Sequence, residues 1–223
     1  MTDATARVPA RRAINPRLIG IALVVLVVAA MALDTTYKEK GETTATGREA
    51  FDPARYGAET YPKAAAAIEE AAVPLPKLTA AMQEDLDAAG EQYGTRQGTS
   101  PYSFSTSGAG VAGKTEGGLM GVRVKGVPDG TTVSIQVGPA INGTAVRDAA
   151  GFIEFGQFTN QVEYAGAATA LNEQVKQKAL ADVDADTLEG RRVAFVGAFS
   201  TVTPDVITIT PVKLEPVKLE ASG

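Results

Sequence analysis

The sequence has 223 residues, with 21 Lys and Arg against 26 Asp and Glu for a formal net charge of -5, and it contains neither cysteine nor histidine. That length suffices for one globular core and an appendage, and the acidic balance gives no electrostatic ground for binding nucleic acid or an anionic surface. Without Cys and His there are no disulfides, thiolate nucleophiles or imidazole bases, and nearly every zinc, copper or haem site is excluded. Chemistry falls to carboxylates, hydroxyls, amides, Lys, Arg and Tyr, and no cofactor is expected.

The first element is apolar. Leu18 to Leu33, "LIGIALVVLVVAAMAL", carries no charge, follows Arg11, Arg12 and Arg17, and ends at Asp34. A core helix is seldom apolar on every face, and a buried strand is shorter, so the setting is that of a membrane segment. It is slightly short for a hydrocarbon core of about 30 Å, but Arg17 can snorkel and Ile14 can extend it. Arginines before it and an acid after it orient residues 1–17 to the cytoplasm and the rest outside. The reading is a single-pass signal-anchor; a cleaved signal peptide, with Ala30-Met31-Ala32 as its small-x-small site, is the rival.

Residues 34–50, polar and Thr/Gly-rich, suit a stalk. In "FDPARYGAETYPKAAAAIEEAA", Phe51, Tyr56 and Tyr61 are aromatic anchors, and Pro62 is expected to open an Ala-rich helix to about Ala72. A second helix is expected from Leu78 to about Ala89 with Gly90 as its C-cap.

From Tyr102 the apolar period approaches two. "YSFSTSGAGVAGK", "GLMGVRVKGV" and "TTVSIQVGPAI" are strand candidates, the last two joined by the hairpin signal Pro128-Asp129-Gly130. Phe152 to Phe155 reads as a further short strand. A helix is expected from about Phe158 to Ala181, with Phe158, Val162, Ala165, Ala168, Leu171 or Asn172, Val175 and Ala179 along its apolar stripe. "RVAFVGAFS" and "DVITITPVKL" add two strands, and residues 216–223 are expected to fray as a tail. The main domain is thus expected over 51–215, with a helical lead-in at 51–95 and a sheet at 100–215. Three strands, a helix and two strands is the element order of an oligonucleotide/oligosaccharide-binding (OB) barrel. The expected fold is mainly β with α additions: an OB-like five-stranded antiparallel barrel with a helix between strands three and four, preceded by two helices and one transmembrane helix.

One stretch holds the candidate site residues. Arg147 adjoins Asp148, while Asn160 and Gln161 open the following helix. In a regular strand Arg147 and Asp148 would point to opposite faces, so their pairing requires a bend, which Ala149-Ala150-Gly151 can supply. The four form either a satisfied polar lock between sheet and helix or a small-ligand pocket, with Arg147 on a carboxylate or phosphate and the amides on hydroxyls or carbonyls. Catalysis would need Asp148 and Glu154 as an acid/base pair with separated pKa values. There is no nucleophile elbow, phosphate loop, dinucleotide fingerprint or calcium loop, and "GKTEGG" at 113–118 lacks the spacing of a phosphate loop. Asn142-Gly143-Thr144 is a three-letter glycosylation match, and Tyr93 and Tyr102 could flank a sugar, although packing is the plainer role for both.

The run "VGPAINGTAVRDAAGFIEFGQFTNQVEYAGAATALNEQV", with "LEGRRVAFVGAFS", "ITITPVKLEP" and "FDPARYGAETYPKAAAAIEEAA", resembles an uncharacterised bacterial family of predicted periplasmic lipoproteins, domain of unknown function 2291. The likeness runs from about Leu18 onward. It implies an envelope location, with members neighbouring sugar-type ABC transport systems in some genomes, and it brings no catalytic or binding residue. This sequence departs from the lipoprotein pattern because no cysteine follows the apolar segment, which favours retention of that segment as the anchor.

These readings converge on a membrane-anchored extracytoplasmic accessory or binding protein, not an enzyme, with a transporter component or solute receptor as its partner. Binding of a small polar ligand, a sugar or carboxylate, is one alternative. A carboxylate-dependent hydrolase using Asp148 and Glu154 is the other.

Overall fold

Helix formation begins one residue into the domain, where the Asp52 carboxylate accepts from the backbone N–H groups of Ala54 (2.9 Å) and Arg55 (3.1 Å). The following Pro53 occupies the first helical position, where its missing N–H costs nothing. In the computed structural model, which describes residues 50–201 and 203–217, this helix, α1, spans Pro53–Ala71. The expected opening at Pro62 is therefore corrected. Pro62 lies inside α1 on its exposed side, and the buried stripe Gly57, Tyr61, Ala64 and Ile68 holds the helix across the lost backbone bond. The expected cytoplasmic segment 1–17, membrane segment 18–33, nearly all of the stalk and the tail from 218 lie outside the described residues. Among the described residues no helix is long and apolar enough to cross a membrane.

The expected second helix is two helices. α2 (Leu75–Glu84) and α3 (Leu86–Tyr93) meet at Asp85, whose extended backbone ends one and whose carboxylate caps the other through Ala88 N–H at 3.0 Å. Gly90 is internal to α3 rather than its cap: it faces the Tyr102 ring so closely that a Cβ there would overlap the aromatic carbons. Two short strands, β1 (Val73–Pro74) and β2 (Gly94–Thr95), tie this lead-in to β3 (Ser103–Glu116).

β3 organises the sheet. Its first part, 103–111, pairs antiparallel with β6 (Arg192–Ser200), and its last part, 110–116, pairs antiparallel with β4 (Leu119–Val124). β4 continues to β5 (Thr132–Gln136), β5 to β7 (Val206–Pro216), and β7 to β6, so the path of pairing returns to β3. The β5 and β7 pair is parallel, Ser134 opposite Thr208. The expected all-antiparallel sheet is thus a mixed sheet. The chain re-enters beside β5 after a long crossover, and a parallel pair is what such a crossover produces. Pro216 still belongs to β7, and Val217 N–H reaches Arg192 O at 2.8 Å, so order extends into the expected tail.

Alternation fills the core. Val133 and Ile135 on β5, Ile207 and Ile209 on β7, and Val193 and Phe195 on β6 are buried, and Phe104 stacks on Phe199 across the β3–β6 ladder with centroids 5.3 Å apart. Between β5 and β6 the chain makes α4 (Ala145–Ala149), a 3₁₀ turn at Phe155–Gln157 and α5 (Gln161–Gln174), which continues as a π-type turn through Ala179. The expected strand at Phe152 to Phe155 does not form. Its Ile153 is buried alone while Phe152 and Phe155 are exposed, and the alternation is spent on a loop. The stripe expected on α5 holds only in its second half: Ala168, Leu171 and Val175 are buried, whereas Ala165 is exposed and Val162 is 80% exposed. α1 and α5 pack closely, because a Cβ at Gly57 would stand 2.8 Å from the Ala170 carbonyl oxygen.

Candidate functional site

α4 begins directly after the Asn142-Gly143 turn and is only five residues long, yet it carries the candidate ion pair. Arg147 is 8% exposed. Its Nε donates to Asp148 Oδ1 at 2.7 Å, and its Nη1 donates to the Tyr164 carbonyl at 3.1 Å. The guanidinium carbon stands 3.6 Å from the centroid of the Tyr164 ring, a close cation–π contact. The second Asp148 oxygen accepts from Thr144 Oγ1 at 2.6 Å, and the Asp148 carbonyl accepts from Thr95 Oγ1 at 2.8 Å. Adjacent side chains that would diverge on a strand converge here because the residues lie in a helical turn.

This knot is closed on itself. Both charges are consumed internally, which is the condition under which buried polar groups are tolerated. Its flank is aromatic: Phe158 lies 5.4 Å from Tyr164 and 5.5 Å from Tyr56, and Phe51 is 5.7 Å from Phe158, centroid to centroid. Burial raises the Tyr164 hydroxyl pKa; Arg147 opposes the rise and Asp148 adds to it. That hydroxyl faces the Asp148 carboxylate electrostatically but forms no well-aligned hydrogen bond among the described residues.

Asn160 and Gln161 do not join Arg147 and Asp148. Asn160 is the N-cap of α5, its carboxamide oxygen accepting from Glu163 N–H at 3.0 Å while Glu163 Oε2 accepts from Thr159 N–H at 2.9 Å. This is an N-cap with the return bond made to the residue before it, complete without a ligand. Gln161 is exposed in the first turn. Glu154 is also exposed and makes no side-chain hydrogen bond or ion pair among the described residues, so no contact joins it to Asp148. Tyr102 is buried beneath Arg96, whose guanidinium is 4.3 Å from its ring centroid, and Tyr93 carries Lys77 at 5.1 Å; both pack the lead-in. No cluster of acidic residues suited to a metal occurs among the described residues.

The outer face of β5 and β7 holds a feature that sequence reasoning missed. Gln136 and Thr210, with Thr208 beside them, meet the loop after β5 and enclose an open groove of about 490 Å³. Gln136 fixes its wall: Nε2 donates to Asn142 O (3.0 Å) and Thr210 Oγ1 (2.7 Å), and Oε1 accepts from Asn142 N–H (2.8 Å). Asn172 on α5 donates to Gly143 O at 2.9 Å from behind. Thr144 belongs to both regions, lining the groove while bonding Asp148. One signal was available, since the alternation in "VITIT" places Thr208 and Thr210 opposite Ile207 and Ile209. The loop that makes a groove of that polar face carries no comparable signal.

A family model described as predicted periplasmic lipoprotein (DUF2291) matches residues 21–215. A crystal structure described as an OB-fold protein from Thermotoga maritima aligns with a TM-score of 0.59 at 22% identity, covering 75% of this chain and 99% of that one. At that identity the likeness concerns the fold alone. Among curated proteins none matches.

Proposed function

Since the chain belongs to this family of predicted periplasmic lipoproteins, we propose that it is a membrane-held, non-catalytic accessory module that docks on another envelope protein. Membership implies an extracytoplasmic, membrane-associated protein. The sequence has no cysteine to carry a lipid, which supports the apolar segment 18–33 as the tether. The circuit of strand pairing supports reading the sheet as a closed OB-like barrel, a rigid scaffold for loops.

The observation that carries the reading is the contrast along residues 147–164. Arg147 and Asp148 spend their charge on each other and on neighbours, whereas Phe152 (39%), Phe155 (48%) and Val162 (80%) stay exposed on the same stretch. An ion pair sealed in this way offers nothing to a substrate, while large apolar side chains left in water favour a protein partner. The partner expected is a component or solute receptor of an ABC transporter.

The test is affinity capture of the full-length protein from solubilised membranes, alongside Phe155→Ser and Val162→Ser. Wild type should recover one stoichiometric transporter component or receptor, and both variants should lose most of it; Val162→Ser should keep the melting temperature, while Phe155→Ser should lower it slightly, because its ring also packs edge-on against Tyr164 at 5.5 Å. Equal recovery by wild type and both variants would reject this surface.

A further inference from the structure

The groove on the outer face of β5 and β7 is separate from that docking stretch, and its lining is chemically uniform. None of the described residues that line it carries a charge. Its polar groups are amides and hydroxyls: Gln136, Asn142, Thr144, Ser200, Thr208 and Thr210. Between them stand small apolar surfaces, Leu119, 39% exposed at the rim, and Ala140. We infer that this groove binds a small uncharged polyol, a single sugar ring being the representative case.

Charge, supply of partners and rigidity each point to that class. A carboxylate or phosphate entering the groove would give up water without meeting a cation, because Arg147, behind Thr144, is already held by Asp148. The hydroxyl groups of a polyol need partners that both donate and accept, and the groove supplies them. Thr210 and Gln136 are buried and bonded to each other in the wall, so the accessible partners are the half-buried Thr208 hydroxyl, the exposed Thr144, whose Oγ1 gives its proton to Asp148 and keeps lone pairs, and the exposed Asn142, whose carboxamide makes no hydrogen bond among the described residues. Leu119 and Ala140 can meet the C–H face of a ring. The wall is also set in advance by the three bonds of Gln136 and the reach of Asn172, so little ordering is left for the ligand to impose. At the far end the turn is pressed against the loop. Gly118, at φ +82°, lies so near the Gly138 carbonyl that any side chain would push the two apart.

The experiment uses the full chain in detergent micelles. Saturation-transfer NMR and thermal melting are run with glucose, ribose and myo-inositol, and with glucuronate and glucose 6-phosphate as charged counterparts. At least one neutral polyol should give saturation transfer and raise the melting temperature, with the charged counterparts about tenfold weaker or absent. Asn142→Ala and Thr208→Val should each weaken binding about five- to tenfold, the loss of roughly one hydrogen bond, without lowering the melting temperature of the free protein. Val162→Ser, on the docking stretch, should leave binding unchanged. The inference is overturned if no neutral polyol gives transfer at about 50 mM, well above a millimolar Kd. It is equally overturned if the charged sugars bind as well as the neutral ones, or if both groove variants bind like wild type.

Discussion

Two polar regions meet at Thr144 and handle their polarity in opposite ways. On one side the Arg147–Asp148 knot holds full charges, buries them and satisfies them from within. On the other, the groove holds only neutral groups and leaves several of them facing an open volume of about 490 Å³. The comparison teaches that charge density is a poor guide to which polar groups a small domain leaves accessible. The strongest charges here serve cohesion, and the weaker dipoles are the ones left available.

The largest effect that would sharpen this contrast is expected from Arg147→Met. It strands the Asp148 carboxylate beside an apolar group and should cost about 2–4 kcal/mol in urea denaturation, near the range for breaking a buried pair. Adding Asp148→Asn should return part of that loss, because no uncompensated charge remains. Gln136→Ala removes three hydrogen bonds from the groove wall and should cost about 1–3 kcal/mol. A cost near zero would mean that the wall is held from elsewhere.

Asn160→Ala should cost about 1 kcal/mol, the ordinary loss of a helix cap. A ligand role for this residue would show as lost binding at unchanged stability instead. Tyr164→Phe should be neutral or slightly stabilising near neutral pH, because its buried hydroxyl lacks a good partner.

The same tyrosine gives the knot an alkaline signature. Its folded pKa is raised, chiefly by burial, so the unfolded chain releases the proton first as pH climbs past about 10. Stability is then full below that value and falls as pH rises through the folded pKa. Tyr61, pushed up to about 12 by burial, adds to the same loss between about pH 10 and 12. Tyr164→Phe should flatten part of the slope, and Tyr61→Phe more of it. The groove residues lack titratable side chains, so Asn142→Ala should leave the slope as it is.

Much of the fold was legible because period-two patterning survives wherever a strand has one face in the core, as in "VITIT" and "RVAFVGAF". Legibility failed where two signals shared one residue. Pro62 reads as a helix start, but Asp52-Pro53 is a better one and tertiary burial carries the helix through. Phe152 to Phe155 reads as a strand from composition, but it has no neighbouring edge to pair with. In the site, Arg147 and Asp148 stood out because charges adjacent to an aromatic stretch are conspicuous, but the expected lock or pocket joined all four residues, and only these two meet. The amides Asn160 and Gln161 were grouped with them by proximity in sequence alone. Helix capping explains Asn160 better and leaves Gln161 in solvent. The groove was not legible, because it exists only when β5 and β7, whose paired residues such as Ser134 and Thr208 are 74 apart in sequence, lie side by side.

That juxtaposition also makes the last described strand indispensable to the sheet. β7 is the final described strand, yet it is wedged between β5 and β6 and supplies hydrogen bonds to both. Without it β5 and β6 would each have an unpaired edge, and Gln136 would have no Thr210 to hold. A chain shortened before Val206 would therefore lose the strand that joins β5 to β6, and the groove wall with it, rather than a dispensable end.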